Sequence, residues 1–355
     1  MKQGTNRAST TIDALDEADI LIDVRSPAEF AEDHIEGAIN CPVLDNDERI
    51  LIGTLYKQSS PFEAKKRGAV LVARNIARHI EDRFLGQEKT WRPVIYCWRG
   101  GQRSGAMTTI FRAIGWDARQ LEGGYKAYRR QVVADLDILP RQFRFRVLCG
   151  ATGSAKSRIL QAMGDFGAQI IDLEELACHK GSVLGVLPDA PQPTQKMFES
   201  QLMCALRRLD PARPVYVEAE SRKIGRLQVP EAMIESMRAG ECVSIEAPLA
   251  ARVEFLLRDY AYFLENPDWL NRRLDGLKAL RGNETIQHWQ ACATSGRWQE
   301  LVSELLAKHY DPLYERSQNR NYSGLGTPRP FPVNDLSPGS ILDIAKAIEA
   351  SFQRA

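Results

Sequence analysis

The chain has 355 residues and a formal net charge of +1 at pH 7, with 44% hydrophobic and 26% charged residues. This is ordinary globular composition, and the length predicts two domains of roughly 150 residues each. The balanced charge excludes a uniformly basic surface, so any basic surface must be local. Residues 1–16 are polar, and no apolar run reaches the ~18 residues of a membrane span. We therefore expect a cytoplasmic protein without a signal peptide or membrane segment.

Seven cysteines are scattered along the chain without CxxC pairs or zinc-finger spacing. An odd and dispersed set is typical of reduced thiols in the cytoplasm. We expect neither a disulfide framework nor a metal site built on cysteine.

Short apolar strands alternate with amphipathic helices along residues 1–137. Residues 20–24 form a predicted strand, and a short helix opens at Pro27. Residues 92–97 form a second strand that runs into a glycine-rich loop and a helix from about Ser104. This alternation predicts a mainly parallel α/β sheet.

The strand–loop–helix pattern restarts at residues 143–149. We therefore divide the chain into residues 1–137 and 138–355, the second part being a parallel α/β domain with added helices. The further predictions for this part are strands at 168–172, 214–218 and 242–246, helices after 250, a loop over 317–338 and a closing helix over 340–352.

A candidate nucleophile ends the strand at 92–97 and begins the segment Cys97-Trp98-Arg99-Gly100-Gly101-Gln102-Arg103-Ser104. Its two glycines let successive backbone N–H groups point inward, and the following helix adds its positive N-terminal end. Arg99 and Arg103 add full positive charges. This field favours thiolate over thiol, so we predict an anion-binding loop with Cys97 as the nucleophile.

The Cys97 loop and two upstream segments, Ile22-Asp23-Val24-Arg25-Ser26-Pro27-Ala28-Glu29-Phe30 and His34-Ile35-Glu36-Gly37-Ala38-Ile39-Asn40, resemble the rhodanese family. The resemblance covers about residues 14–137. It implies a rhodanese-like α/β domain whose cysteine carries sulfur or selenium. Asp23 and Arg25 either orient the loop or belong to the scaffold.

The loop departs from a simple rhodanese in one respect. Arg103 lies six positions after Cys97, whereas simple rhodaneses commonly place the arginine five positions on. The C-x5-R spacing is that of cysteine phosphatases, so phosphate ester hydrolysis is an alternative. No general-acid carboxylate stands in the loop.

A second motif, Gly150-Ala151-Thr152-Gly153-Ser154-Ala155-Lys156-Ser157, follows a strand and opens a helix, the context that a Walker A motif requires. Its amides and Lys156 are expected to hold phosphates, and Ser157 to reach Mg²⁺, with Asp172, Glu218 or Glu220 as acidic partner. Ala155 stands where the motif has glycine, which is tolerable if its dihedrals are helical but argues against efficient nucleotide hydrolysis. The predicted phosphate-binding residues are Gly150, Thr152, Gly153, Ser154, Ala155, Lys156 and Ser157.

The long cysteine loop followed by a P-loop domain closely resembles the bacterial tRNA 2-selenouridine synthase family over nearly the whole chain. The resemblance implies that 2-thiouridine at the wobble position of tRNAs for Lys, Glu and Gln is alkylated by geranyl diphosphate. Selenium from selenophosphate then displaces the S-geranyl group. It further implies that Cys97 carries selenium as a selenosulfide, that Arg99, Arg103 and the loop amides hold selenophosphate, and that Lys156 and Ser157 hold the diphosphate.

A tRNA ligand needs a basic surface for its phosphates. The candidate arginines are Arg141, Arg144 and Arg146, and a second set of Arg252, Arg258, Arg272, Arg273 and Arg281. Two alternatives stay open: a sulfurtransferase with a P-loop ATPase domain, and a cysteine-dependent phosphatase. The sequence does not fix the oligomeric state, and we expect a monomer.

Overall fold

The protein is described by a computed structural model that covers residues 8–314, 316 and 329–353. The chain forms two compact units. The first runs to Asp135 and includes Thr194–Cys204, and the second comprises Leu136–Pro193 and the chain from Ala205 on. Division of the chain at 137/138 stays a prediction, and the grouping of Thr194–Cys204 with the first unit has no signal in the sequence. Within the described residues, none of the helices has the length and apolarity needed to cross a membrane.

The first unit is built on five short strands. They are β1 (Ser9–Thr10), β2 (Ile20–Asp23), β3 (Ala38–Asn40), β4 (Pro93–Tyr96) and β5 (Arg119–Leu121). Its helices are α1 (Pro27–Glu32), α2 (Asn46–Gln58), α3 (Pro61–His79), α4 (Gln102–Ile114) and α5 (Gly124–Ile138), with 3-10 turns at Ile12–Glu17 and Leu139–Gln142 and a π-turn at Ile80–Phe84.

The strands of the first unit lie in the order β1-β5-β4-β2-β3, and every neighbouring pair is parallel. All four residues of β4 are buried, as expected for a central strand covered on both faces. Because β4 is central, Cys97 directly after it lies at the carboxyl edge of the sheet, where open α/β sheets bind ligands. The predicted α/β class is confirmed.

A buried ion pair lies at the end of β2. Arg25 is 1% exposed, and its guanidinium donates to both carboxylate oxygens of Asp23 at 2.6–3.0 Å. The same guanidinium donates to the carbonyl of Asp33 at 2.6 Å, and its central carbon lies 4.0 Å from the ring centre of Tyr125. The pair joins β2, the end of α1 and α5, which favours a scaffold role for Asp23 and Arg25.

Helix α8 (Gln195–Arg207) begins with residues that belong to the first unit. The hydroxyl of Ser200 donates to the carboxylate of Asp33 at 3.0 Å, and Lys196 pairs with Glu32 at 2.6 Å. The hydroxyl of Tyr125 donates to the same Asp33 carboxylate at 2.8 Å. A segment distant in sequence therefore completes the polar interior of this unit.

The second unit contains a sheet and a hairpin, made of β6 (Phe145–Cys149), β7 (Gln169–Ile171), β8 (Val215–Glu218), β9 (Lys223–Ile224), β10 (Leu227–Gln228), β11 (Glu241–Glu246) and β12 (Arg329–Pro332). Its remaining helices are α6 (Lys156–Asp165), α7 (Leu173–Leu176), α9 (Glu231–Arg238), α10 (Leu249–Asp259), α11 (Ala261–Glu265), α12 (Pro267–Leu274), α13 (Lys278–Arg281), α14 (Asn283–Thr294), α15 (Trp298–Leu305) and α16 (Pro338–Gln353).

The sheet of the second unit is also parallel, in the order β12-β11-β6-β8-β7. Gly150 follows β6, and Glu218 ends the neighbouring strand β8 opposite Leu148. The glycine-rich loop and this carboxyl group are thus brought to the same edge of the sheet.

The predicted loop over 317–338 is confirmed at residues 333–337 but wrong at Arg329–Pro332. Residues 317–328 lie outside the described residues, but Arg329–Pro332 forms edge strand β12 on β11. Phe331 packs against the apolar core, and proline is tolerated on an edge strand.

One pair of cysteines departs from the expectation of reduced thiols. Cys149 and Cys242 lie on neighbouring strands β6 and β11 and form a disulfide, with their Cα atoms 6.3 Å apart. That distance suits a disulfide, while 93 residues separate the two in sequence, so spacing gave no sign of the pair. Cys97 is free.

Replacing Asp23 by Asn tests the buried pair. The change leaves the charge of Arg25 buried without a counterion, so the free energy of unfolding should fall by about 3 kcal/mol or more. Urea unfolding of the full chain measures it. Asp19→Asn, which removes the exposed partner of Arg92, is the matched control and should change stability little. Equal effects of the two substitutions would contradict this account.

Candidate functional site

The Cys97 thiol is held among hydrogen-bond donors. Its side chain is 3% exposed, and Sγ accepts from the N–H of Gly101 at 3.3 Å and from the hydroxyl of Ser104 at 3.1 Å. Burial raises the pKa of this thiol, but the hydrogen bonds from Ser104 and Gly101 and the charge of Arg103 outweigh burial and lower the pKa below its usual value. The loop therefore stabilises a thiolate, the reactive form of cysteine.

Gln120 on β5 fixes the direction of that hydrogen bonding, and sequence reasoning missed it. Its amide donates to the hydroxyl oxygen of Ser104 at 2.7 Å and to the carbonyl of Gly101 at 2.9 Å. Because the Ser104 oxygen accepts from Gln120, its own proton is free to point at Cys97. No local signal marks Gln120, which reaches the loop from the neighbouring strand.

The start of α5 supports the loop from behind. The N–H of Tyr125 donates to the carbonyl of Cys97 at 2.9 Å. Gly124 has φ +56°, and a Cβ there would lie 2.2 Å from that carbonyl oxygen. Only glycine permits this approach. The sequence contains Gly123-Gly124, but its link to the Cys97 loop is visible only in the fold.

The two arginines of the loop differ in their engagement. Arg103 is partly buried and donates to the Glu29 carboxylate at 2.7 Å. Arg99 is exposed, and Trp98 between Cys97 and Arg99 packs on Tyr125 with ring centres 5.2 Å apart. Gln102 and Gly101 are exposed at the start of α4. Arg99 is therefore free to meet an incoming anion, while Arg103 would exchange Glu29 for it.

Glu29 is the carboxyl group that meets the loop, and it is poorly suited to be a general acid. Burial raises its pKa, but hydrogen bonding to Arg103 and the charges of Arg103 and Arg49 outweigh burial and hold the pKa below its usual value. Glu29 is thus ionised at neutral pH. This observation weakens the phosphatase alternative, which needs a protonated group near the leaving oxygen.

The Walker A segment forms a phosphate-sized loop at the start of α6. Gly150 and Gly153 have positive φ, as a tight loop requires. Lys156 is the first residue of α6, and its ammonium donates to the carbonyl of Gly150 at 3.0 Å. A cavity of about 720 Å³ opens in front of the loop. Thr152, Ala155 and Ser157 line it with these residues, while Ser154 is buried beside Gly150.

Ala155 does not have the helical dihedrals that the sequence analysis required for it. It has φ 59° and ψ 24°, in the left-handed region, and it is buried. An alanine there costs roughly 1–2 kcal/mol relative to the right-handed region, a cost that glycine avoids. The surrounding apolar core, which Ala155 joins, compensates for this strain.

Three of the acidic residues that line this cavity form a cluster. Glu174, Glu218 and Glu220 each place a carboxylate oxygen within 4.8 Å of the others, and the hydroxyl of Ser157 donates to Glu174 at 2.9 Å. Asp172 lines the same cavity but caps α7, since its carboxylate accepts from the N–H of Glu175 at 2.8 Å. Glu174 was not predicted from the sequence, because it lies in a short helix rather than at a strand end.

Burial shifts these glutamates toward their protonated form. Burial, followed by the charge of Glu174, raises the pKa of Glu218 well above its usual range and that of Glu220 to about 8. Burial also raises the pKa of Glu174. Oε1 of Glu218 is buried and has no hydrogen-bond partner in the described part of the chain. This oxygen-rich set fits a hard divalent cation.

An apolar pocket adjoins the phosphate-loop cavity. The cavity and this pocket share Thr152, Ser182, Leu256, Tyr260 and Tyr310. The side chains deeper in the apolar pocket include Leu257, Phe263, Leu264, Trp298, Leu301 and Val302. A ligand with a phosphate group in the loop can thus place an apolar portion in this pocket.

Most arginines of the two predicted RNA-binding sets are engaged within the protein. Arg141 pairs with Glu235, Arg146 with Glu241 and Tyr216, and Arg252 with Asp311. Their other contacts are Arg144 to the carbonyl of Ala212, Arg258 to that of Leu336, Arg281 to His309, and Arg273 over the Trp269 ring. These contacts favour structural roles for seven of the eight.

Ser104→Ala should make Cys97 less reactive at neutral pH. Losing the hydroxyl donor raises the thiol pKa, so the alkylation rate of Cys97 by iodoacetamide at pH 7 should fall several-fold and its pH midpoint should rise. Mass spectrometry of the Cys97 peptide at a series of pH values measures both. Thr109→Ala on the exposed face of α4 is the control, and an unchanged midpoint in the Ser104 variant would refute the assignment.

Comparison with known proteins gives a consistent family. The rhodanese-like domain model matches residues 8–131, and the model of the tRNA 2-selenouridine synthase AAA domain matches residues 143–272. A tRNA 2-selenouridine synthase of Alcanivorax borkumensis is 33% identical over 332 residues, covering 84% of this chain and 90% of the relative. Those of Hydrogenovibrio crunogenus and Marinobacter nauticus are 34% and 32% identical, covering 83% of this chain and 88% and 87% of the relatives. The chain therefore belongs to the tRNA 2-selenouridine synthase family, with a rhodanese-like domain followed by the AAA domain of that family.

Proposed function

We propose that this protein converts 2-thiouridine to 2-selenouridine at the wobble position of tRNAs for Lys, Glu and Gln, in the cytoplasm. One observation carries the proposal beyond family membership. The chain combines a cysteine whose thiolate is stabilised in an anion-binding loop with a phosphate loop that opens into an apolar pocket. These are the two kinds of site that selenium delivery and S-geranylation require.

In the first step, the sulfur of 2-thiouridine attacks C1 of geranyl diphosphate and diphosphate leaves. The amides of the phosphate loop and Lys156 would bind the diphosphate. Mg²⁺, if bound by Ser157, Glu174, Glu218 and Glu220, would supply positive charge to the departing diphosphate.

The apolar pocket favours a prenyl diphosphate over a nucleotide. Its free volume of about 70 Å³ suits a short branched chain segment, so we assign it the distal isoprene unit. The proximal unit would lie in the larger cavity beside Leu256 and Tyr260. A nucleoside would need polar partners for its base and ribose, which this apolar pocket does not offer.

In the second step, selenium from selenophosphate replaces the S-geranyl group. The balanced exchange consumes water and yields 2-selenouridine, geranyl thiol and phosphate. The exchange is redox-neutral, because selenium and sulfur both have the formal oxidation state −2 before and after it. Forming a selenosulfide on Cys97 from selenophosphate would be a two-electron oxidation and would need an oxidant. We therefore assign no selenosulfide to Cys97, and propose only that the selenium step requires its thiolate. Arg99, Arg103 and the loop amides would hold the selenophosphate anion.

We infer that a monomer is sufficient. Each pocket described above is lined by residues of one compact unit of one chain.

Nucleoside mass spectrometry of 2-thiouridine tRNA tests the proposal. With geranyl diphosphate alone, the wild type should form S-geranyl-2-thiouridine, and with selenophosphate added it should form 2-selenouridine. Cys97→Ala should stop at the S-geranyl product. Lys156→Ala should lose most geranylation but still convert tRNA that is already geranylated.

The matched controls for that experiment are Cys204→Ala and Lys223→Ala, which alter the same residue types away from both loops. Both should behave as wild type. Unmodified tRNA in every reaction of folded protein would remove the proposed function, and ATP hydrolysis or phosphate ester turnover would then favour one of the two alternatives.

Val302→Phe tests the prenyl assignment. The larger side chain narrows the apolar pocket, so transfer from geranyl diphosphate should fall about tenfold relative to transfer from dimethylallyl diphosphate. Competition between the two donors, read by mass spectrometry, gives the ratio. Val133→Phe at an exposed site of the first unit is the control. If the folded Val302→Phe variant keeps the wild-type ratio of geranyl to dimethylallyl transfer, the geranyl group does not bind in this pocket.

A further inference from the structure

A strongly basic helical hairpin stands on the first unit. Residues 57–79, from the end of α2 through α3, contain six Lys or Arg residues and one Glu, a formal charge of +5 in a chain whose net charge is +1. All six basic side chains are exposed: Lys57, Lys65, Lys66, Arg67, Arg74 and Arg78. The balanced net charge predicts that any basic surface is local, but this segment was not among the sites predicted from the sequence.

These charges are largely uncompensated. Among the described residues, Lys66 is the basic residue of the segment with an acidic partner, pairing with Glu63 at 2.5 Å. The arginines of the two sets predicted from the sequence are mostly held by carboxylates, carbonyls or rings. The hairpin is therefore the better candidate for attracting a polyanion.

Two exposed aromatic rings flank the turn of the hairpin. Tyr56 near the end of α2 is 55% exposed, and Phe62 at the start of α3 is 67% exposed. The ammonium of Lys66 lies 5.1 Å from the centre of the Phe62 ring. Exposed rings among cations are the combination that stacks on unpaired nucleobases while contacting phosphates.

The hairpin is firmly attached on its other side. A capping box between Asp45 and Glu48 starts α2, and the amide of Asn75 on α3 donates to Glu48 at 2.8 Å and to the carbonyl of Val43 at 3.2 Å. Ile76 of α3 is fully buried in the core of the unit. The basic face is thus presented by a rigid element that shares its unit with Cys97.

We propose that the α2–α3 hairpin is a tRNA-binding surface, with its basic face on phosphates and Phe62 and Tyr56 against an unpaired base. The proposal rests on the proposed function, which supplies tRNA as the substrate. Ile50 and Val70 are also exposed on the hairpin, so a protein partner is the competing occupant. The charge of +5 on residues 57–79 favours RNA.

Salt-dependent binding of a fluorescent tRNA-Lys transcript tests the proposal. The triple variant R67Q/R74Q/R78Q should bind at least tenfold more weakly than wild type at about 0.1 M salt. Its plot of log affinity against log salt should be shallower by about 2 to 3, because each lost phosphate contact removes about 0.7–0.9 from the slope. Phe62→Ala should weaken binding without changing the slope.

K89Q/R92Q/R222Q, with the same loss of charge outside the hairpin, is the control and should retain the wild-type slope. An unchanged rate of Cys97 alkylation shows that each variant is folded. Wild-type affinity and slope in the folded R67Q/R74Q/R78Q variant would overturn the hairpin proposal. A protein would then be the favoured partner of this surface. Failure of the wild type itself to bind or modify tRNA would instead remove the proposed function.

Discussion

A cysteine sulfur buried at the end of a central β-strand needs hydrogen-bond donors from several elements to stabilise its thiolate, and this requirement organises the first unit. The sulfur of Cys97 accepts from Gly101, which precedes α4, and from Ser104 of α4. Gln120 of β5 orients the Ser104 hydroxyl. Gly124 of α5 lets the backbone of that helix bond the Cys97 carbonyl from the other side. The parallel sheet matters because it brings all of these to one edge.

In the second unit, groups of both charges line one cavity, whereas in the first unit hydrogen-bond donors surround a single sulfur. Its phosphate loop offers amides and the ammonium of Lys156, while Glu174, Glu218 and Glu220 lie across the same cavity. An anion bound by the phosphate loop and a cation bound by the glutamates would together neutralise both sets of groups. The neighbouring apolar pocket then selects what else the phosphate-bearing ligand contains.

What the sequence predicted correctly is local. The strands that precede both loops, the helices that follow them and the parallel α/β class come from short-range patterns in apolar residues and glycines. Gln120, Gly124 and Glu174 depend on which elements become neighbours, and no spacing rule announces that. The same holds for Arg252, which reads as a free cation in the sequence but is neutralised by Asp311. Ala155 shows a further limit, since its left-handed backbone is imposed by the loop around it.

The first unit is discontinuous along the chain, because Thr194–Cys204 belongs to it. Ser200 supplies one of the hydrogen bonds to the buried carboxylate of Asp33, and Lys196 binds Glu32. During synthesis on the ribosome, residues 8–135 would emerge well before this segment. The interior of the unit that holds the reactive cysteine can therefore be completed only after the phosphate loop and β7 have been translated. Folding of the cysteine-bearing unit thus depends on synthesis of part of the second unit.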